Sequence, residues 1–311
     1  MTSRLTRLAW TAATAGVILT VAACSSTTPA ATSTAAAVRS GGGPIAVVAS
    51  TDVWGNLAAT VGGDAVSVTS IISDPNQDPH SYEASAQNQL ALSKAAVVVE
   101  NGGGYDDFVD TMLAAAHNPS AVVLNAVTIS GKAAAGGQLN EHVWYDFPTV
   151  EKVVGQIADA YGRLDPARAD TFRQNAAGLT AQLQALVQRE AQLKATYAGA
   201  GVSITEPVPL YLLQAIGLVN RTPAEFSHAI EDGTDVAPAV LQQTLALYTD
   251  HAVRLLAYNE QTTGPETEAV LKAARANGVA VVPVTETLPA GDTYVSWMTA
   301  NLAAVAAALA G

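Results

Sequence analysis

The sequence predicts an α/β protein made of two parallel-sheet lobes joined by one long backbone helix. Three observations carry this reading. Short β-branched runs alternate with helical stretches through both halves of the chain. Those runs are mostly apolar and interleave with the helices, as in strands covered on both faces. A single amphipathic helix stands between the halves.

The opening residues precede this architecture. Arg4 and Arg7 are followed by a weakly polar-to-apolar run from Leu8 to Ala23, the pattern of an export signal over residues 1–23. The run falls short of the roughly 20 apolar residues a spanning helix needs, and Thr11, Thr14 and Thr20 interrupt it. Cys24 is the only cysteine, so it forms neither an internal disulfide nor half of a metal pair. Val21-Ala22-Ala23-Cys24 resembles the lipobox of bacterial lipoproteins, which implies cleavage before Cys24, lipidation of its thiol, and a mature chain held to the outer face of the cell membrane by the acyl group. A plain secretory signal with an incidental cysteine is the alternative. Residues 24–43, after Cys24, are almost all Ser, Thr, Ala, Pro and Gly, with one charge at Arg39 and no aromatic residue, a composition for a flexible tether.

The net charge is −12, and loss of Arg4 and Arg7 with the signal makes it more negative. That excludes a nucleic-acid partner, whose phosphates require basic patches. It suits collection of cations but serves solubility equally.

The first lobe is predicted over 44–165. Ile45 to Val48 reads as a strand before a helix near Val53 to Val61, and Val66 to Ile72 as a strand before a helix near Ser85 to Lys94. Ala96 to Val99 then precedes a helix near Tyr105 to Ala116, and Ala121 to Leu124 leads into a Gly-rich loop. The linking helix is predicted over 166–197, with Asp165 as N-cap and Pro166 in the first turn. Phe172, Ala176, Leu179, Leu183, Leu186 and Leu193 fall on one face of it. At 1.5 Å per residue it runs about 45 Å, enough to lie along both lobes and resist their bending. A coiled-coil dimer is the other use of such a stripe, but the stripe lasts under about five heptads. The second lobe, 198–311, repeats the scheme with strands at Val202 to Ile204, Val253 to Tyr258 and Val279 to Val284.

Open α/β sheets bind ligands at the carboxyl ends of their strands. His80 follows the strand ending at Ile72, on a loop that Pro75 and Pro79 stiffen. His142 lies past the Gly-rich loop, before a helix beginning near Pro148. Glu206 follows the first strand of the second lobe, and Glu286 the last. Two imidazoles and two carboxylates suit a divalent first-row metal such as Zn or Mn. Taken singly, each has another reading. His80 ends a strand in an Asp-Pro-His turn, His142 packs beside Trp144, Glu206 is the first-turn acid of a helix starting at Pro207, and Glu286 is a solvated loop acid. His117, His228 and His251 are read as surface residues.

Asp78-Pro79-His80-Ser81-Tyr82-Glu83, Glu141-His142-Val143-Trp144, the strand-to-Glu206 junction before Tyr211, and Val284-Thr285-Glu286 occur in an order that resembles the metal-binding proteins of manganese and zinc ABC importers. The resemblance runs from about Pro44 to the chain end. It implies a single divalent ion, Mn or Zn, in the inter-lobe cleft, with His80 and His142 as first-lobe ligands and Glu206 and Glu286 as second-lobe ligands. It also implies a monomer outside the cytoplasm that delivers the ion to an ABC permease and its ATPase, and no enzymatic activity. Glu206 stands where zinc-type members often carry His, which leans the reading toward manganese. Glu286 stands where Asp is commoner, which leaves its denticity open. The loop from Gly131 to Gln138 lacks the histidine-rich run of many zinc importers. Two alternatives belong to other classes: a metal-dependent hydrolase, for which the chain offers no HExxH, G-x-S-x-G or cysteine nucleophile, and a surface adhesion lipoprotein with a structural metal.

Overall fold

A computed structural model describes residues 43–74, 82, 85–134 and 138–311; the signal, Cys24, nearly all of the tether and His80 lie outside them. The strands are β1 (Ile45–Thr51), β2 (Val66–Ile72), β3 (Val97–Glu100) and β4 (Val122–Asn125), then β5 (Gly201–Ile204), β6 (Val219–Asn220), β7 (Leu255–Asn259) and β8 (Ala280–Val284). They form two four-stranded sheets, ordered β2-β1-β3-β4 and β6-β5-β7-β8. Every pairing is parallel, with Val47 opposite both Val68 and Val97 in the first sheet and Leu256 opposite Val281 in the second. The two sheets share one topology. In each, the strand order reverses beside the first strand, where α/β sheets place their ligands.

The helices of the first lobe are α1 (Asp52–Gly62), α2 (Ala86–Lys94), α3 (Phe108–Ala116), α4 (Ala126–Ser130) and α5 (Phe147–Leu164). Asp146 caps α5 by accepting from Thr149 N at 3.1 Å, and Pro148 in the first turn costs no needed donor. Ser85 caps α2 in the same way through Asn88 N. The long helix α6 (Ala169–Tyr197) is followed in the second lobe by α7 (Leu210–Ala215), α8 (Ala224–Glu231), α9 (Pro238–Thr249), α10 (Pro265–Ala276) and α11 (Tyr294–Ala310).

The linking helix begins later than the sequence suggested. Pro166–Arg168 form a 3₁₀ turn, and the α-helix covers the next 29 residues. Asp165 makes no cap to the backbone; its carboxylate accepts from Arg168 Nε at 2.5 Å instead. The stripe on α6 is buried as its spacing predicted, with one addition. Glu190 fills the gap between Leu186 and Leu193 and is only 4 % exposed. Burial pushes its carboxyl up to about 8, helped by the charge of Asp146.

One apolar core runs through both lobes, from Val47 and Leu57 across Val153, Leu179 and Leu183 to Ile204, Val282 and Leu302. Hydrogen bonds tie the lobes as well. Leu288 N donates to Asp52 Oδ1 at 3.0 Å, Tyr294 N to Asn56 Oδ1 at 2.9 Å, and Tyr145 Oη to Thr285 O at 2.9 Å. A brace that shares its core with both sheets leaves little room for the halves to hinge.

Two histidines left without a role have backbone ones. His117 is the left-handed C-cap of α3 (φ 51°), and His251 takes φ 48° just after α9, a conformation that His adopts more readily than most residues.

Candidate metal centre

Glu206 lies two residues past β5, in a bend rather than a helix. Proline at 209 disfavours helical backbone at Val208, so no helix starts at Pro207, and α7 begins at Leu210. Thr205 locks the junction: its N donates to Ala257 O at 3.0 Å and its Oγ1 accepts from Asn259 N at 2.9 Å. Glu206 is thereby held in the interior, 4 % exposed.

Glu286 is likewise a buried acid, 2 % exposed, and not a solvated one. Its N donates to Gln261 Oε1 at 2.5 Å, and its Oε1 accepts from Asn259 Nδ2 at 2.9 Å. Those bonds fix the carboxylate so that Oε2 stands 3.9 Å from His142 Nε2.

His142 is fully buried, edge-on to Trp144 with ring centroids 5.1 Å apart, so packing against that ring and facing a carboxylate are both true of it. Asn101 Nδ2 holds the preceding carbonyl, Glu141 O, at 2.9 Å. Asp106 accepts from Asn101 N and Gly102 N at 2.6 and 2.7 Å, shaping the turn beneath. In that turn Gly103 sits at φ 75°, and a Cβ there would lie 3.0 Å from Val127 and 3.3 Å from Leu139; glycine lets the 139–141 segment lie close.

Asn140 determines which ring nitrogen meets a ligand. Its Nδ2 donates to Pro207 O at 3.1 Å, and a carbonyl can only accept, so the amide orientation is settled. Its Oδ1 therefore faces His142 Nδ1, at 2.7 Å. Nδ1 then carries the proton, and the lone pair lies on Nε2, toward Glu286. Two ligands each about 2.1 Å from a common ion stand about 3.0 to 4.2 Å apart at any coordination angle from 90° to 180°, and the 3.9 Å between Nε2 and Oε2 falls in that interval. The same residue links the lobes a second time, since Asn140 O accepts from Tyr211 Oη at 2.7 Å.

The sequence reading missed Glu231, the last residue of α8. Its Oε1 lies 3.7 Å from His142 Nδ1, and one ligand atom from each of Glu141, His142 and Glu231 lies within 4.8 Å of the other two. Burial pushes the Glu231 carboxyl up to about 9, with the negative charges of Glu141, Glu206, Glu286 and Asp232 adding to it. Glu141 is raised as well, chiefly by burial. Glu231 and Glu141 line a cleft of about 270 Å³ that also meets Gly103, Leu139 and Asp232. One signal was present: an acid closing a helix opposes the helix dipole, a local conflict that often marks a working residue.

The described residues thus bring His142 and Glu286 face to face. They also set Glu206 in the same acidic surroundings, through its charge on Glu231 and the tie of its neighbour Pro207 to Asn140. His80, the fourth residue of the predicted set, lies outside them.

Two parallel-sheet lobes on a long helix, with an imidazole of one facing a carboxylate of the other, define a solute-binding architecture rather than a lone α/β enzyme domain. The family model described as zinc-uptake complex component A, periplasmic (ZnuA) matches residues 47–308, and the chain belongs to that family. It is a family of metal-binding transport components and not of enzymes, which removes the hydrolase alternative. Among curated proteins, the chain is 26% identical over 142 residues to the manganese-binding lipoprotein MntA of Halalkalibacterium halodurans, a match covering 46% of this chain and 47% of that one. The chain spans about half the length of two of the curated relatives it matches. Solved structures of the same fold include ZnuA (22% identity, TM-score 0.69, 85% of this chain and 96% of that one). They also include FpvC of Pseudomonas aeruginosa in complex with Mn²⁺ (23%, TM-score 0.71, 86% and 98%) and a mutant of the laminin-binding adhesin Lmb of Streptococcus agalactiae (20%, TM-score 0.70, 85% and 99%). At these identities the structural likenesses speak to the fold alone.

Proposed function

We propose that this chain captures one divalent transition metal between its lobes and delivers it to an ABC-type permease and its ATPase. His80 and His142 supply the ligands of the first lobe, and Glu206 and Glu286 those of the second. The observation that carries the reading is His142 Nε2 facing Glu286 Oε2 at 3.9 Å, with the ring tautomer dictated by Asn140. Two carboxylates neutralise a divalent ion, and two neutral imidazoles complete four ligands without a reactive water. The carboxylate share of this set favours manganese, the metal in the names of both MntA and the FpvC complex. Bare affinity still follows the Irving–Williams order, so zinc competes in the tube whatever the cell supplies. The ligands all come from one chain, as in a monomer. We further propose an extracytoplasmic location, with an acyl group on Cys24 anchoring the chain to the cell membrane; among the described residues no helix is long and apolar enough to cross one.

Element analysis of protein purified from cells grown with balanced Mn and Zn tests capture, and should find one equivalent of metal per chain. His142→Ala and Glu286→Ala should each lower affinity by about 100-fold or more with the fold retained. Unchanged metal content in either variant refutes the ligand assignment, and undiminished metal uptake after deletion of the chain refutes delivery.

A further inference from the structure

Glu231 has no place in the ligand set read from the sequence, yet it stands against one member of it, His142. Its side chain is only 10% exposed, and its Oε1 is buried, makes no hydrogen bond, and stands 3.7 Å from the His142 ring. Burying a carboxyl oxygen without a donor is unfavourable. Four other carboxyl groups, those of Glu141, Glu206, Glu286 and Asp232, press their charge on it. Its position closing α8 adds an unfavourable dipole. The packing of α8 does not ask for an acid there, because Phe226 and Ile230 make its buried side. A cation within reach of this buried oxygen would supply the partner it lacks.

We infer that Glu231 is a further metal-facing residue, a third carboxylate that joins Glu206 and Glu286 around the ion and biases the site toward manganese over zinc. This rests on the capture reading above. Glu231 stands beside Nδ1, which Asn140 already engages, so the partner inferred for its carboxylate is the ion rather than the ring, reached on the Nε2 side by turning the side-chain torsions of Glu231. A third acidic ligand raises both the oxygen content and the number of ligands. Zinc, which settles at four with nitrogen-rich sets, gains little; manganese, which accepts more ligands and prefers oxygen, gains more.

The test is competition titration of Mn²⁺ and Zn²⁺ against a chromophoric chelator, using the purified full chain, Glu231→Gln and Glu231→Ala, with thermal unfolding of the metal-free proteins as a check on folding. Manganese affinity should fall about tenfold or more in both variants and zinc affinity less than about threefold. X-ray absorption of the manganese-loaded Gln variant should show one oxygen ligand fewer than wild type. Equal losses for the two ions, or no loss for either, overturn the inference while leaving capture standing. A wild-type chain that binds neither ion overturns both, which tells the two failures apart.

Discussion

Replacing Glu190 with glutamine should stabilise the protein, and increasingly so as the pH rises. Glu190 sits on the apolar stripe of α6, and burial lifts its carboxyl from 4.5 to about 8. A carboxyl whose folded pKa is raised imposes no cost below its unfolded value. The cost grows as pH climbs past 4.5, where the unfolded chain gives up the proton and the folded one keeps it, and it levels off above about 8. At pH 7 the interval is 2.5 pH units above 4.5, which at 1.36 kcal/mol per unit is about 3 kcal/mol as an upper bound; solvent screening brings the expected penalty to about 1.5–3 kcal/mol. Glutamine keeps the shape and has no charge to bury. Thermal melts of wild type and Glu190→Gln should therefore diverge by roughly 3–10 °C at pH 8 and coincide near pH 4. A gap of the same size at both pH values would refute the reasoning, because a packing effect does not titrate.

Two other perturbations test the frame and the ring. Leu183→Ala, at a fully buried position on α6 in the core common to both lobes, should cost about 2–5 kcal/mol in urea unfolding, in one cooperative transition rather than two. Asn140→Ala removes the acceptor that places the His142 proton, and should weaken metal binding about 10–100-fold by titration; an unchanged affinity would show that the ring needs no such partner.

What the sequence disclosed depended on periodicity. The valine runs at 47–48 and 97–99 read as strands because a parallel sheet buries both faces of a strand, and α6 read as one helix because its apolar stripe keeps step from Phe172 to Leu193. Glu206 and Glu286 were visible as the acids that follow strands. Glu231 left only the fainter sign of an acid closing a helix, since that helix is short and its buried face offers only Phe226, Ser227 and Ile230 as a pattern. Strand β6 was passed over for a like reason, being only Val219 and Asn220. Glu190 falls in step with Leu186 and Leu193, so its place on the buried face was in the spacing, but its charge masked it; the 3₁₀ turn at Pro166 left no such mark.

The amide of Asn140 belongs to two structures at once, a bridge between halves and the rule for one proton. A movement that draws Pro207 away removes one of the two contacts that orient this amide; the other, from His142 N to Oδ1 at 3.1 Å, lies within the first lobe and keeps the oxygen beside the ring. If the halves part, the imidazole keeps its electron pair presented on Nε2 while the Glu286 carboxylate withdraws, so the first half stays set to meet its partner again.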